Sequence, residues 1–279
     1  MKIISWNMKQ KHDSWRRLLE MDIDLALLQE AGKPPPDVAK RIQDKPAIEI
    51  DSAPWQTTTA GGSTSFRTAI AKLSDRIEVE WIEVKSPGTA DSRDLIVSWP
   101  GTLTAARVKP ASGAPVLAVS MYAQWLRTHS LAANNFIFAD SSVHHVISDL
   151  SVFVVKADGH RVLAAGDLNI LRGYGEHGDA YWAARYQTVF DRMEAMGLPC
   201  IGPESPNGRQ ADPWPDELPR DSRNVPTFHS NRQKPATATR QLDYVFASRG
   251  LADSLTVRAL NKPEEWGPSD HCRVEIELE

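Results

Sequence analysis

Short runs of residues typical of β-strands recur along almost the whole chain, separated by turn residues and by a few helical segments. KIISWN at 2–7 alternates like a strand, and DLALLQE at 24–30 reads as a buried strand that ends in two polar residues. Further strands are predicted at 66–73, 77–85, 95–109, 114–122, 160–169 (entered through Asp158-Gly159), 241–248, 254–260 and 272–279. Strands mixed with helices in this way indicate a mixed α/β fold with many antiparallel neighbours.

The helical segments are fewer and are marked by their ends. A triple proline at 34–36 opens one of them, because proline is tolerated in the first turn of a helix. Another is closed by Gly197, which is the usual residue after a helix C-terminus. The predicted helices are 14–20, the short one that begins at the triple proline, 131–156 and 180–196.

The stretch from Pro199 to Pro226 differs from the rest because it holds seven prolines and no periodic segment. A loop of this length inside a compact domain is usually functional or disordered. A surface loop without a role is the alternative interpretation.

The composition excludes several classes of protein. With 279 residues, of which 41% are hydrophobic and 24% charged, the chain can bury a sizeable core, and we expect one domain over 1–279. The apolar runs are much shorter than a membrane span, so we expect no membrane association. The two cysteines exclude a disulfide scaffold and favour a reducing compartment. With no visible signal peptide, this predicts a cytoplasmic protein.

Polar residues stand where several predicted strands end, and such positions bind ligands in open sheets. We therefore expect them to share one site. Taken singly, an asparagine can be a turn former, a glutamate a surface acid and a tyrosine a core residue, whereas an aspartate inside an apolar strand needs a partner. The residues are Asn7, Glu30, Tyr122, Asp167 and Asn169 (in GDLN), Asp243 (in QLDYVF), Asp270 and His271.

This set of side chains suits metal-assisted hydrolysis of a phosphate ester. Carboxylates with an asparagine amide are the oxygen ligands that Mg²⁺ prefers. The cysteines are not spaced for zinc, and no HExxH motif is present. A carboxylate can accept a proton from an attacking water, and a histidine or tyrosine can stabilise charge on phosphate oxygens.

The ordered motifs ISWN (4–7), LLQE (27–30), SMY (120–122), GDLN (166–169), LDY (242–244) and SDH (269–271) resemble the endonuclease/exonuclease/phosphatase superfamily. Its members include deoxyribonuclease I, exonuclease III-type AP endonucleases, inositol polyphosphate 5-phosphatases and neutral sphingomyelinases. The resemblance implies a four-layer α/β sandwich of two facing mixed β-sheets with outer helices and a site at one rim.

The resemblance also implies a metal site. Glu30 corresponds to the main ligand, with Asn7 and Asp270 nearby. The implied cofactor is Mg²⁺, with Mn²⁺ as an alternative.

Five residues match positions that carry catalytic roles in the family. Asp167 resembles the residue that orients or deprotonates the attacking water, and Asn169 resembles the partner that fixes the phosphate and Asp167. His271 resembles the histidine that contacts the phosphate, with Asp243 as its orienting carboxylate. Tyr122 stands where exonuclease III-type members have a tyrosine.

The sequence around these motifs favours the nuclease branch. Arg240-Gln241-Leu242-Asp243-Tyr244 resembles the nuclease form of this motif rather than that of the 5-phosphatases. Lys9 occupies a position where AP endonucleases often have Asp or Asn, and the run after GDLN also differs from theirs. Specificity for abasic sites is therefore not implied.

Charge is distributed unevenly along a chain whose net charge is −4. Segments 1–17 and 220–240 each contain five Lys or Arg and one Asp, a local net of +4, and both flank predicted site residues. Local basic patches of this kind bind phosphate backbones, although a solvated surface is the alternative. Phe228 and His229 could stack on a base, and Phe228 could equally be a core residue. The predicted substrate contacts are Arg223, Phe228, His229, Arg232, Lys234, Arg240 and, in the loop after GDLN, His177.

The sequence thus predicts a metal-dependent phosphodiesterase, most simply a nuclease acting on DNA. A phosphatase or phosphodiesterase for a small-molecule or lipid phosphate is the first alternative. A binding protein that kept the fold and lost the reaction is the second. No obligate protein partner is indicated.

Overall fold

The computed structural model describes residues 1–59, 62–88, 91, 94–132, 136–154 and 161–279. The helices are α1 (His12–Leu18), α2 (Pro36–Gln43), α3 (Asp140–Leu150), α4 (Ala180–Ala195) and α5 (Arg249–Ala252), with 3₁₀ turns at Ser151–Phe153, Glu176–Gly178, Pro235–Thr237 and Pro263–Glu265. The strands are β1 (Lys2–Asn7), β2 (Leu25–Gly32), β3 (Glu49–Ile50), β4 (Thr57–Thr59), β5 (Gly62–Thr64), β6 (Phe66–Lys72), β7 (Ile77–Ile82), β8 (Val84–Lys85), β9 (Leu95–Ile96), β10 (Leu103–Pro110), β11 (Val116–Tyr122), β12 (Leu126–Arg127), β13 (Ile137–Phe138), β14 (Val162–Asp167), β15 (Cys200–Gly202), β16 (Asp243–Ala247), β17 (Leu255–Leu260) and β18 (Arg273–Leu278).

Two six-stranded sheets dominate the described residues. One has the order β17-β18-β1-β2-β6-β3 and the other the order β15-β16-β14-β11-β10-β7. Both are mixed, because β1 and β2 run parallel in the first and β11 and β14 in the second, among antiparallel neighbours. The expected pair of mixed sheets is confirmed.

The main hydrophobic core has three layers, one between the two sheets and one on the outer face of each sheet. They follow from the alternation of side chains along each strand. Ile3 of β1 packs between the sheets against residues such as Leu163 and Val245 of the other sheet. The next residue, Ile4, points to the opposite face and packs with Trp15 of α1. The outer face of the second sheet is covered in the same way by α3 and α4. Because both faces of each sheet are covered, the strands read as nearly continuous apolar runs.

Three predicted elements have different boundaries in the structure. The strand expected over 77–85 is two strands, since β7 pairs with β10 and β8 pairs with β9 in another sheet. The strand expected over 95–109 is two strands, because Pro100 and Gly101 (φ +92°) form a turn between β9 and β10. The helix expected over 131–156 begins only at Asp140 and ends at Leu150, because residues 137–138 pair with β12 as a strand. Residues 133–135 and 155–160, with the predicted Asp158-Gly159 turn, lie outside the described residues.

The proline-rich stretch from Pro199 to Pro226 contains β15 and is otherwise irregular, but it packs against the rest of the chain. Asn261 holds it through two hydrogen bonds, since Arg209 N donates to its Oδ1 (2.8 Å) and its Nδ2 donates to Arg209 O (2.7 Å). At its end, Val225 is buried in a small core with Trp266. Cys200 and Cys272 are free thiols, as expected. None of the helices in the described ranges is long and apolar enough to span a bilayer.

Candidate active site

Strand pairing brings the predicted catalytic residues to one rim of the two sheets. Asn7 ends β1, and Glu30 lies near the end of its parallel neighbour β2. In the other sheet, Asp167 pairs in register with Tyr122 on one side and with Asp243 on the other. Parallel strands end at the same edge of a sheet, so residues far apart in the chain become neighbours.

Asn7 joins the two sheets at this rim. It is 1% exposed, and its Nδ2 donates to Asp167 Oδ2 (2.8 Å) and to Glu30 Oε1 (3.2 Å). The Tyr122 hydroxyl donates to the same Glu30 oxygen at 3.0 Å. Burial, and then the charge of Glu30, raise the pKa of Tyr122 well above its usual value, so the phenol stays neutral and remains a donor. The Glu30 carboxylate is therefore held in one orientation by two neutral donors.

Asp167 is buried and surrounded by donors. Its Oδ1 accepts the Asn169 backbone N–H (2.9 Å), and its Oδ2 accepts Asn169 Nδ2 (3.2 Å). His271 lies between two carboxylates, with Nδ1 2.9 Å from Asp243 Oδ2 and Nε2 3.7 Å from Asp167 Oδ2. An imidazole in this position is oriented by Asp243 and points toward Asp167.

The pKa values of the buried Asp167 and His271 are both raised. Burial raises the pKa of Asp167, and the charges of Asp243 and Glu30 raise it further against the opposing effect of His271. Burial lowers the pKa of His271, but the carboxylates of Asp243 and Asp167 outweigh it and raise this pKa overall. These shifts favour the protonated imidazole and make Asp167 a stronger proton acceptor than an ordinary aspartate.

Asp167, Asp243 and His271 could also share a cation, because their ligand atoms lie within 4.8 Å of one another. A protonated imidazole has no lone pair for a metal, so the arrangement suits proton transfer better. The predicted metal ligands were Glu30, Asn7 and Asp270. Of these, Asp270 forms an ion pair with Lys9, at 2.5 Å between Nζ and Oδ2. In the sequence, Lys9 was noted as a departure from AP endonucleases and as one cation of segment 1–17, and its contact with Asp270 comes from the structure.

Two supporting residues were missed by sequence reasoning. Ser269 Oγ donates to Asn7 O (2.7 Å) and accepts from His271 N (3.2 Å), which ties the last motif to β1. Thr227 Oγ1 accepts the backbone N–H of Asp243 at 3.1 Å. Ser269 belongs to the SDH motif and could have been included, whereas nothing in the local sequence marks Thr227.

Backbone strain is concentrated around the site. Within the described ranges, the non-glycine residues with positive φ are Lys9, Gln10, Glu30, Asn169 and His177. Asparagine tolerates this conformation, but for glutamate it is uncommon. The pairing of β2 with β6 shifts register between Leu28 and Ala31, so Glu30 lies in a bulge. Bulges redirect side chains, and this one brings Glu30 to the rim.

Three of the predicted substrate contacts lie near the predicted catalytic residues, and a fourth, His177, shares a pocket with one of the three. The Phe228 ring is 5.0 Å from the His271 ring, and Phe228 forms backbone bridges to His271 and Arg240. His229 donates its backbone N–H to Asp270 O (3.0 Å). Arg240 pairs with Glu176 and lines a pocket that also includes His177.

The other three predicted contacts lie on the surface. Arg223 is exposed and pairs with Glu204 at 2.9 Å. Arg232 and Lys234 are exposed, and no acid in the described part of the chain lies within ion-pair distance of either. The net charge of +4 counted for segment 220–240 is thus reduced in space by acids from elsewhere, namely Glu176 and Glu204.

Comparisons with known proteins place this fold. No protein-family model matches the sequence, and no curated protein does. Among solved structures, a 3'-5' exonuclease (NExo) from Neisseria meningitidis is 18% identical with a TM-score of 0.60, covering 100% of both chains. An AP endonuclease from Archaeoglobus fulgidus (17%, TM-score 0.60) matches over 100% of this chain and 99% of its own, and the Xenopus laevis APE2 catalytic domain (14%, 0.60) over 100% and 91%.

The chain has the fold of these exonuclease and endonuclease structures. This confirms the fold that the sequence resemblance implied. At these identities the likeness concerns the fold, so the chemistry depends on the residues described above.

Proposed function

We propose that this protein is a divalent-metal-dependent phosphodiesterase that hydrolyses DNA. The observation that carries the proposal is a buried group at one rim: His271 hydrogen-bonds to Asp243 and lies 3.7 Å from Asp167, and Asn7 hydrogen-bonds to both Asp167 and Glu30. It puts a proton acceptor, a charged donor and a metal-type carboxylate at one rim. DNA as the substrate is supported by similar folds, whose names include AP endonucleases and a 3' phosphatase bound to a product DNA hairpin.

Glu30 and Asn7 offer the hard oxygen ligands that suit Mg²⁺ or Mn²⁺. The hydrogen bonds that fix the Glu30 carboxylate both end on Oε1, which leaves Oε2 for a cation. We assign Glu30 and Asn7 as the principal ligands, with Asp270 beside them. A cation bound there would neutralise negative charge on the phosphate oxygens.

The protein's own residues supply the proton transfer. Asp167, held by Asn7 and Asn169, accepts a proton from the attacking water, and its raised pKa makes it a competent base at neutral pH. The protonated His271 donates a hydrogen bond to a phosphate oxygen as negative charge develops, and Asp243 holds the imidazolium in place. Asn169 Nδ2 already donates to Ala123 O and to Asp167, so its role is to position Asp167 rather than to bind phosphate.

A digestion panel tests the proposal. Labelled single-stranded DNA, duplex DNA, abasic duplex and RNA are incubated with the protein in Mg²⁺ and in EDTA, with Asp167→Asn as the matched control. We expect DNA cleavage in Mg²⁺ that EDTA and the substitution both abolish. Release of phosphate only from soluble phosphate esters would replace the nuclease with a small-molecule phosphatase, and no hydrolysis of any substrate would refute the proposal.

We also propose that residues 1–279 act as one catalytic domain and that the protein is cytoplasmic. The first and last major strands, β1 and β18, pair in one sheet, so the two ends of the chain stabilise the same core. The free thiols of Cys200 and Cys272 are typical of a reducing compartment. Fractionation of cells that express the protein tests the location.

A further inference from the structure

We propose that an unpaired nucleobase of the substrate strand stacks in an aromatic pocket beside the active site. The aromatic pocket has a volume of about 170 Å³, and its walls include Trp125, Phe136, Ile137, Glu176, Trp182 and Arg240. This inference rests on the proposed function and adds a substrate preference to it, namely for single-stranded or unpaired nucleic acid.

Two of the residues that line the aromatic pocket connect it to the catalytic rim. Trp125 follows Tyr122 by three residues, directly after β11 ends in the site. On the other side, Arg240 bridges to Phe228, whose ring is 5.0 Å from the ring of His271. A nucleotide next to the scissile phosphate is therefore within reach of the aromatic pocket.

The walls present unusual aromatic surface to solvent. Trp125 is 44% exposed, Phe136 51% and Ile137 47%. Trp182 is buried beneath them, and Phe136 stands edge-on to it with 5.8 Å between ring centroids. Exposed apolar groups gathered in one patch mark a binding site. Solvent-exposed aromatic side chains are the groups on which proteins stack unpaired bases.

The charges of the aromatic pocket favour a base over a phosphate. Its two oppositely charged groups, Arg240 and Glu176, pair with each other at 2.7 Å and cancel. A neutral base with donors and acceptors at its edges fits such a wall, whereas a phosphate would be repelled by the glutamate. Across Trp182, a neighbouring pocket contains the exposed Arg127, whereas the Arg185 of that pocket is paired with Asp140 at 2.6 Å. The positive charge of Arg127 suits the backbone phosphates that adjoin the base.

A base that is paired inside a duplex cannot present its face to Trp125 without being unstacked, which costs a few kcal/mol. Single-stranded DNA avoids this cost. The aromatic pocket therefore predicts tighter binding of single-stranded DNA than of blunt duplex of the same length.

Binding is measured in EDTA, so that no cleavage occurs, with oligonucleotides that contain 2-aminopurine, whose fluorescence is quenched by stacking. For the parent protein we expect quenching with the single strand and weak quenching with the duplex. In Trp125→Ala/Phe136→Ala, single-strand affinity should fall roughly 5- to 150-fold, as removal of base stacking does, while duplex affinity changes little. Trp125→Phe keeps a stacking face and should restore most of the affinity. Ile96→Ala, which removes an equally exposed apolar residue (48%) outside the aromatic pocket, should bind like the parent.

Unchanged single-strand affinity in the double variant, or an equal decrease for single strand and duplex, would overturn the inference. Circular dichroism of the variants separates weakened stacking from unfolding, and Trp125→Phe provides a second, milder substitution. Hydrolysis of a chromogenic phosphodiester by the parent in Mg²⁺ reports on the proposed function independently. If the parent hydrolyses the diester while the double variant binds as the parent does, only the aromatic pocket is refuted. If the parent hydrolyses neither the diester nor DNA, the proposed function fails, and the aromatic pocket fails with it as a substrate site.

Discussion

Replacing Asp243 with asparagine tests whether His271 works as a charged donor held by this carboxylate. The bond between His271 Nδ1 and Asp243 Oδ2 is 2.9 Å long, and both side chains are buried, so solvent screens it little. Hydrogen bonds to charged groups contribute about 1.5–3 kcal/mol, so kcat should fall roughly 10- to 150-fold. His271→Ala removes the donor itself and should cost more, about 10²–10⁴-fold.

The pH profile gives a second readout of the same change. Burial lowers the pKa of His271, but the carboxylates of Asp243 and Asp167 together outweigh it and raise this pKa, so the protonated form persists to higher pH than in a free histidine. Activity that needs this form is lost as the pH rises through the raised pKa. Asp243→Asn removes one of the two charges, so the decline on the alkaline side should move to lower pH.

The assay is steady-state hydrolysis of a chromogenic phosphodiester at saturating Mg²⁺ across neutral and alkaline pH. Parent, Asp243→Asn and His271→Ala are compared, and thermal unfolding shows that each is folded. The reasoning is refuted if Asp243→Asn keeps the parental rate and an unshifted alkaline limb while His271→Ala is impaired.

Three further changes test other parts of the structure. Glu30→Gln keeps the shape but not the charge, so Mg²⁺ binding measured by calorimetry should weaken by more than the roughly 10–100-fold that removal of a supporting residue costs; unchanged affinity would remove Glu30 from the metal site. Gly166→Ala places a Cβ 1.8 Å from Met121 O in the paired strand β11, so urea unfolding should show a decrease in stability of at least about 1–3 kcal/mol, and parental stability would show that β14 can move away. Neutralising Arg223, Arg232 and Lys234 together should weaken DNA binding. The slope of log affinity against log salt concentration should become shallower by roughly 0.7–0.9 for each phosphate interaction removed. An unchanged slope would show that these three cations are ordinary surface residues.

The fold class and most of the residues at the rim can be read from the amino-acid sequence alone. Apolar runs of strand length indicate burial, and a polar residue that ends such a run marks the rim of the sheet, as Asn7 and Asp167 do even though both side chains are buried. These are properties of neighbouring residues, so they can be read locally. The local pattern predicted one helix over 131–156, but residues 137–138 form a strand that pairs with β12. A local pattern cannot show this, because strand pairing depends on a partner elsewhere in the chain.

Which side chains meet is a property of the tertiary structure. Asn7 contacts Asp167 across 160 positions, and Lys9 contacts Asp270 across 261. Part of the charge of the basic segment 220–240 is neutralised by Glu176 and Glu204, and the aromatic pocket combines Trp125 with Trp182 of α4. Contacts of this kind are set by the order of strands within the sheets and by how helices pack on them, which no local periodicity encodes.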